Sequence, residues 1–94
     1  MRPELHSEIL EILAAMDRSE DVRRFLMDLL TPSEVESLSE RWAIVRALAE
    51  GKTQRSVRDE LGVSVTTVSR GSRQLKYGEG GFELALNLLE GRVA

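Results

Sequence analysis

Residues 53–76, TQRSVRDELGVSVTTVSRGSRQLK, decide how the rest of the chain is read. Thr53 can cap a short helix over 54–61 whose inward pair is Val57 and Leu61. Gly62 tolerates the positive φ of a tight turn and ends that helix. Ser64 can cap a second helix, with Val65 and Val68 on its apolar side. Two short helices joined by a glycine turn form the pattern of a helix-turn-helix, whose second helix enters the DNA major groove. On residues alone, a helical hairpin packed in some other fold is the alternative.

On the DNA reading, Gln54, Arg55 and Arg58 lie on the first helix, and Val65, Thr66 and Ser69 near the start of the second. Gln can pair bidentately with adenine, and Arg with guanine or phosphate. Val65 and Thr66 suit a thymine methyl, and Thr or Ser can bond base edges directly or through water. Lys76 is placed for phosphate. Arg58 holds the fifth position of the first helix, where two helices cross and a small residue is usual. Arginine there predicts a wider crossing, with its side chain turned towards DNA.

Charge agrees with this only when the chain is divided. The net charge of -3 argues weakly against nucleic acid. Yet residues 1–40 hold four Arg against ten acids, while residues 41–76 hold eight Lys or Arg against three. Residues 77–94 hold one Arg against three acids. Positive charge is gathered where the helix pair lies, and the local field matters more than the total. A solvated basic surface would look the same.

The flanks read as further helices. Leu5, Ile9, Ile12, Leu13 and Met16 make a helical stripe over 3–16, with Pro3 suited to the first turn. That stripe serves equally as internal core or as a partner-helix surface. Asp17 and Glu20 have capping-box spacing and open a helix to about Leu29, with Val22, Phe25, Leu26, Leu29 and Leu30 inward. Thr31, Pro32 and Glu34 make a stronger start signal, for a helix reaching about Glu50 with Val35, Leu38, Trp42, Val45 and Leu48 inward and Ile44 alongside. Gly51 is its left-handed stop. Trp42, the sole tryptophan, reads as core or interface. Gly78, Gly80 and Gly81 form a joint before a last apolar helix with Phe82, Leu84, Leu86, Leu88 and Leu89. The chain is therefore expected to be all-α, with six helices in one domain of 94 residues.

Several classes recede. There is no cysteine and one histidine, His6, so no disulfide, thiolate or histidine-cluster metal site is expected. No apolar run approaches a membrane span, and the N-terminus lacks the order of a secretion signal, so the expected compartment is the cytoplasm. An enzyme is not expected: the glycines at 78, 80 and 81 lack the Lys-Ser/Thr of a phosphate loop.

The stretches LLTPSEVESLSERWAIVRALAEG (29–51) and QRSVRDELGVSVTTVSRGSRQLK (54–76) resemble the tryptophan repressor family. The telling residues are LTP at 30–32, Arg41, QR at 54–55, ELG at 60–62 and SRGS at 69–72. The resemblance implies an intertwined homodimer that presents two reading heads to successive major grooves of a palindromic operator. Residues 1–51 and 77–94 would form the dimer core and 53–76 the head. It implies L-tryptophan as corepressor, wedged between core and head, and no other cofactor.

By the same resemblance, Arg41 and Arg70 would flank the indole, and Arg70 would also meet the ligand carboxylate. Leu30 and Thr31 would offer backbone carbonyls to the ammonium group. Gly71 would let the ring approach the backbone, and Ile44 and Val45 would be walls. Gln54, Arg55, Arg58, Val65, Thr66, Ser69 and Lys76 would be the DNA-contacting set. Gln74 departs from the family, which has a small serine there, and Asp28 stands at a position usually apolar. Taken singly, Arg41 could instead form a helix-surface salt bridge, and Arg70 a phosphate contact. Two other functions stay open: a DNA-binding regulator answering another ligand or none, and a helical protein-interaction module.

Overall fold

The computed structural model describes residues 3–93. Six helices follow one another: α1 Ser7–Ala15, α2 Ser19–Leu29, α3 Pro32–Ala49, α4 Gln54–Leu61, α5 Val65–Tyr77 and α6 Gly81–Val93. Among the described residues there is no strand. By its own contacts the chain forms two compact units, residues 1–36 and 37–94. The second unit keeps α4, α5 and α6 together.

In the first unit the caps differ from expectation. α1 starts at Ser7 rather than near Pro3, because the His6 imidazole caps it, its Nδ1 accepting from the Glu8 N–H at 3.1 Å. The Asp17–Glu20 capping box does not form. α2 starts one residue later than the box needs: Arg18 stands at the cap, without a side-chain cap hydrogen bond. The Glu20 carboxylate instead accepts two hydrogen bonds from Arg23, at 2.8 and 3.1 Å. Neither α1 nor α2 has a fully buried residue. Of the expected apolar stripes, Ile9, Leu13, Met16, Val22, Phe25, Leu26 and Leu30 are half-buried, while Leu5, Ile12 and Leu29 are exposed.

The capping box that opens α3 does form. The Thr31 N–H donates to Glu34 Oε1 at 2.8 Å, and the Glu34 N–H to Thr31 Oγ1 at 3.2 Å. The bond from the Thr31 N–H stabilises the charged carboxylate most, and the Thr31 side chain adds to it, so the Glu34 carboxyl is held below its ordinary value. A lowered folded-state pKa gives stability that is present above the unfolded value and lost as pH falls through the folded one. Thr31→Ala is expected to cost about 1 kcal/mol, the usual worth of an N-cap hydroxyl. Thermal unfolding at neutral pH checks it; an unchanged melting temperature would mean that this cap contributes nothing.

The second unit holds the core. Ile44 and Val45 from α3, Val57 from α4 and Val68 from α5 are fully buried, with Ala47 beside them. Leu48 and Val63 pack on this cluster. The buried face of α3 is thus centred on residues 44, 45 and 47; Leu38, expected inward, is exposed, and Val35, Trp42 and Leu48 are half-buried. Leu61, the expected partner of Val57, is also exposed. It is the last residue of α4, and the left-handed Gly62 (φ 66°) turns the chain away immediately after it. Gly51 (φ 93°) ends α3 as expected, with the Lys52 N–H on the Ala47 carbonyl and the Gly51 N–H on the Leu48 carbonyl.

Candidate ligand cleft and nucleic-acid face

Thr53 and Ser64 set the helix pair. Thr53 Oγ1 accepts from the Ser56 N–H and Ser64 Oγ from the Thr67 N–H, each at 3.1 Å. These caps, with Gly62 between, fix α4 and α5 on the Val57–Val68 core.

On the other side of α5 a cleft of about 470 Å³ opens against α3 and the start of α6. It brings together Arg41, Val45, Arg70, Gly71 and Gln74, five of the residues expected to hold a ligand. Arg41 and Arg70 are exposed and form no ion pair among the described residues, so the salt-bridge alternative for Arg41 is not what the fold makes of it. Two guanidinium groups beside an apolar wall suit a flat ligand carrying a carboxylate, since such a group offers both a bidentate donor pair and a face for a ring. The volume lies within the range of small-molecule sites.

Ile44 is not on the wall. It is wholly buried, and an added Cβ on Gly71 would sit 2.8 Å from its Cγ2. Gly71 is therefore required by the packing of α5 on α3, independently of any ligand. Leu30 and Thr31 belong to the unit of residues 1–36, where Leu30 ends α2 and Thr31 caps α3.

The cleft also includes residues absent from the expected set: Ser37, Glu40, Thr67 and Phe82. Glu40 precedes Arg41 on an exposed helix face and carried no motif. Phe82 arrives from α6, where its ring meets Trp42 with centroids 6.2 Å apart. Thr67 was hidden among the hydroxyls of α5, its own Oγ1 lying 2.8 Å from Ser64 Oγ.

The expected DNA-facing residues divide by what holds them. Gln54 and Arg55 are exposed in the first turn of α4, Val65 and Thr66 in the first turn of α5. Lys76 is exposed in the last turn of α5, as is Arg73 one turn earlier. Arg58 is half-buried and held by its neighbour, its Nε donating to Asp59 Oδ1 at 3.0 Å and its Nη2 ion-paired with the same oxygen at 2.9 Å. The Ser69 hydroxyl donates across the helix pair to Gln54 Oε1 at 3.1 Å. Lys52 and Arg46, basic in sequence, are paired with Glu60 at 2.9 Å and Glu50 at 3.7 Å.

Known proteins bear on this arrangement. Residues 4–90 match the family model described as Trp repressor protein. The chain is 41% identical over 68 residues to the uncharacterized protein YerC of Bacillus subtilis, a match covering 72% of this chain and 65% of that protein. It is 35% identical over 88 residues to the Trp operon repressor homolog of Vibrio parahaemolyticus, covering 93% of this chain and 85% of that one. In structure it is similar to a TrpR-like protein from Eubacterium eligens, with a TM-score of 0.80 at 26% identity, over 88% of this chain and 86% of that one. With a family match over nearly its whole length and the same fold in a solved relative, the chain belongs to the Trp repressor family.

Proposed function

We propose that the chain is a DNA-binding transcriptional repressor that works as a homodimer in the cytoplasm and takes L-tryptophan as corepressor. The observation that carries this reading is the placement of α5. One side lines the cleft with Arg70, Gly71 and Gln74; the first turn carries Val65 and Thr66 outward. A ligand bound against Arg41 and Arg70 would bear on the same helix that meets the operator. Ligand and DNA would then each strengthen the other's binding.

The dimer is supported by apolar surface that one protomer leaves open. Leu5, ahead of α1, Leu10 and Ile12 of α1, and Leu84 and Leu88 of α6 are exposed. Beside Trp42 an apolar groove of about 410 Å³ is lined by Ala85, Leu88 and Leu89. Exposed apolar faces of this kind mark interaction surfaces, and a second copy of the chain would cover them.

A second reading keeps the DNA face and replaces the ligand, or dispenses with it. Two observations favour it. The Gly71–Ile44 contact explains the glycine without an indole, and Glu40 adds a carboxylate to the cleft beside Gln74. Duplex binding measured across a titration of L-tryptophan separates the readings. The corepressor reading expects affinity to rise by at least about fivefold, the lower end of ordinary allosteric coupling. Equal affinity with and without tryptophan, with folded dimer present, would leave the second reading.

A further inference from the structure

Glu40 is the single anion among the described residues that line the cleft, where it stands with the cations Arg41 and Arg70. All three are exposed, and none pairs with another charged group among the described residues. Arg41 follows Glu40 directly on α3, so the two side chains leave that helix about 100° apart. Arg70 comes to the same cleft from α5. A plain carboxylic acid gains there from two guanidinium groups and is opposed by Glu40. An ammonium on the same ligand turns that opposition into attraction. Ser37, Thr67 and Gln74 are neutral and make no such distinction by charge. An α-amino acid carries its carboxylate and ammonium on the same carbon, which leaves its side chain free to lie against Val45, Gly71 and Phe82.

Resting on the corepressor reading above, we infer that Glu40 is a specificity-determining residue whose carboxylate receives the ammonium group of the ligand. The cleft then takes an aromatic amino acid as its zwitterion and discriminates against the acid that lacks the amino group. The carboxylate beside Gln74 works for an amino-acid ligand rather than against it.

The test is calorimetric titration of the full chain, wild type and Glu40→Gln, with L-tryptophan, D-tryptophan and indole-3-propionate. Indole-3-propionate keeps the ring and the carboxylate and lacks the ammonium. D-Tryptophan keeps every charge and moves the ammonium to the other side of its carbon. Glu40 is exposed on α3, so glutamine keeps the fold, which a thermal melt checks. In Glu40→Gln, L-tryptophan is expected to bind about fivefold more weakly, the upper end for an exposed ion pair. Indole-3-propionate should bind as well as before or better, and the preference for L- over D-tryptophan should narrow. Unchanged affinity for L-tryptophan overturns the inference and leaves the corepressor reading standing. Equal weakening of L-tryptophan and indole-3-propionate makes Glu40 a structural residue and overturns it as well. Equal weakening of L- and D-tryptophan reduces Glu40 to a distant charge and overturns the contact. A folded wild type that takes up none of these probes overturns the corepressor reading itself, and this role of Glu40 with it.

Discussion

Gly71→Ala is expected to lower the melting temperature of the ligand-free protein by about 4–8 °C. Two effects oppose each other. Alanine is the better helix former by about 1 kcal/mol, and Gly71 lies inside α5. Against this, the new Cβ would meet Ile44 Cγ2 at 2.8 Å. Ile44 is fully buried and β-branched within a helix, so its χ1 has no second well to retreat to. Overpacking of this kind costs roughly 1–3 kcal/mol, which outweighs the propensity gain over most of that range. In a domain of this size each kcal/mol moves the melting point by about 4–8 °C. The double variant Ile44→Leu/Gly71→Ala moves the branch off Cβ and should recover most of the loss. If Gly71→Ala melts at or above the wild type and only tryptophan binding weakens, the glycine serves the ligand and not the packing.

That contact also shows where sequence stops informing. The helix pair was legible because its signals are local: Thr53, Gly62 and Ser64 act on backbone within three residues, and all three do what their spacing predicts. The Thr31–Glu34 box is local in the same way. The Asp17–Glu20 box failed although its spacing is right, because Glu20 had a better partner in Arg23 than in the backbone. Spacing shows that a bond can form, not what competes for it. The inward faces of α3 and α4 were right at Ile44, Val45 and Val57 and wrong at Leu38 and Leu61 for a related reason. Periodicity marks a stripe about 100° wide, whereas the neighbours decide which edge is covered. Here the covered edge takes in Ala47, beside Ile44 and Val45, and leaves out Leu38. Glu40, Phe82 and the Ser69–Gln54 bond join separate helices, so no local pattern could announce them.

The salt dependence of operator binding should follow the pairing of the cations rather than their number. Residues 41–76 hold eight Lys or Arg, which in a dimer would neutralise enough phosphates for a very steep slope. The structure removes Arg46, Lys52 and Arg58 to Glu50, Glu60 and Asp59. It places Arg41 and Arg70 on the cleft. Arg55, Arg73 and Lys76 remain exposed and form no ion pair among the described residues. At about 0.9 per phosphate, three such cations on each of two protomers give a slope near -5, or about a thousandfold loss between roughly 50 and 200 mM salt. Arg70→Ala then separates the two roles open to that residue. As a ligand contact, its loss leaves the slope without tryptophan unchanged and abolishes the response to tryptophan. As a phosphate contact, its loss makes the slope shallower by about 2 in the dimer, whatever the ligand. The proposed function expects the first result, because a guanidinium that shares a cleft with Arg41 and Gly71 is placed to couple the ligand to α5.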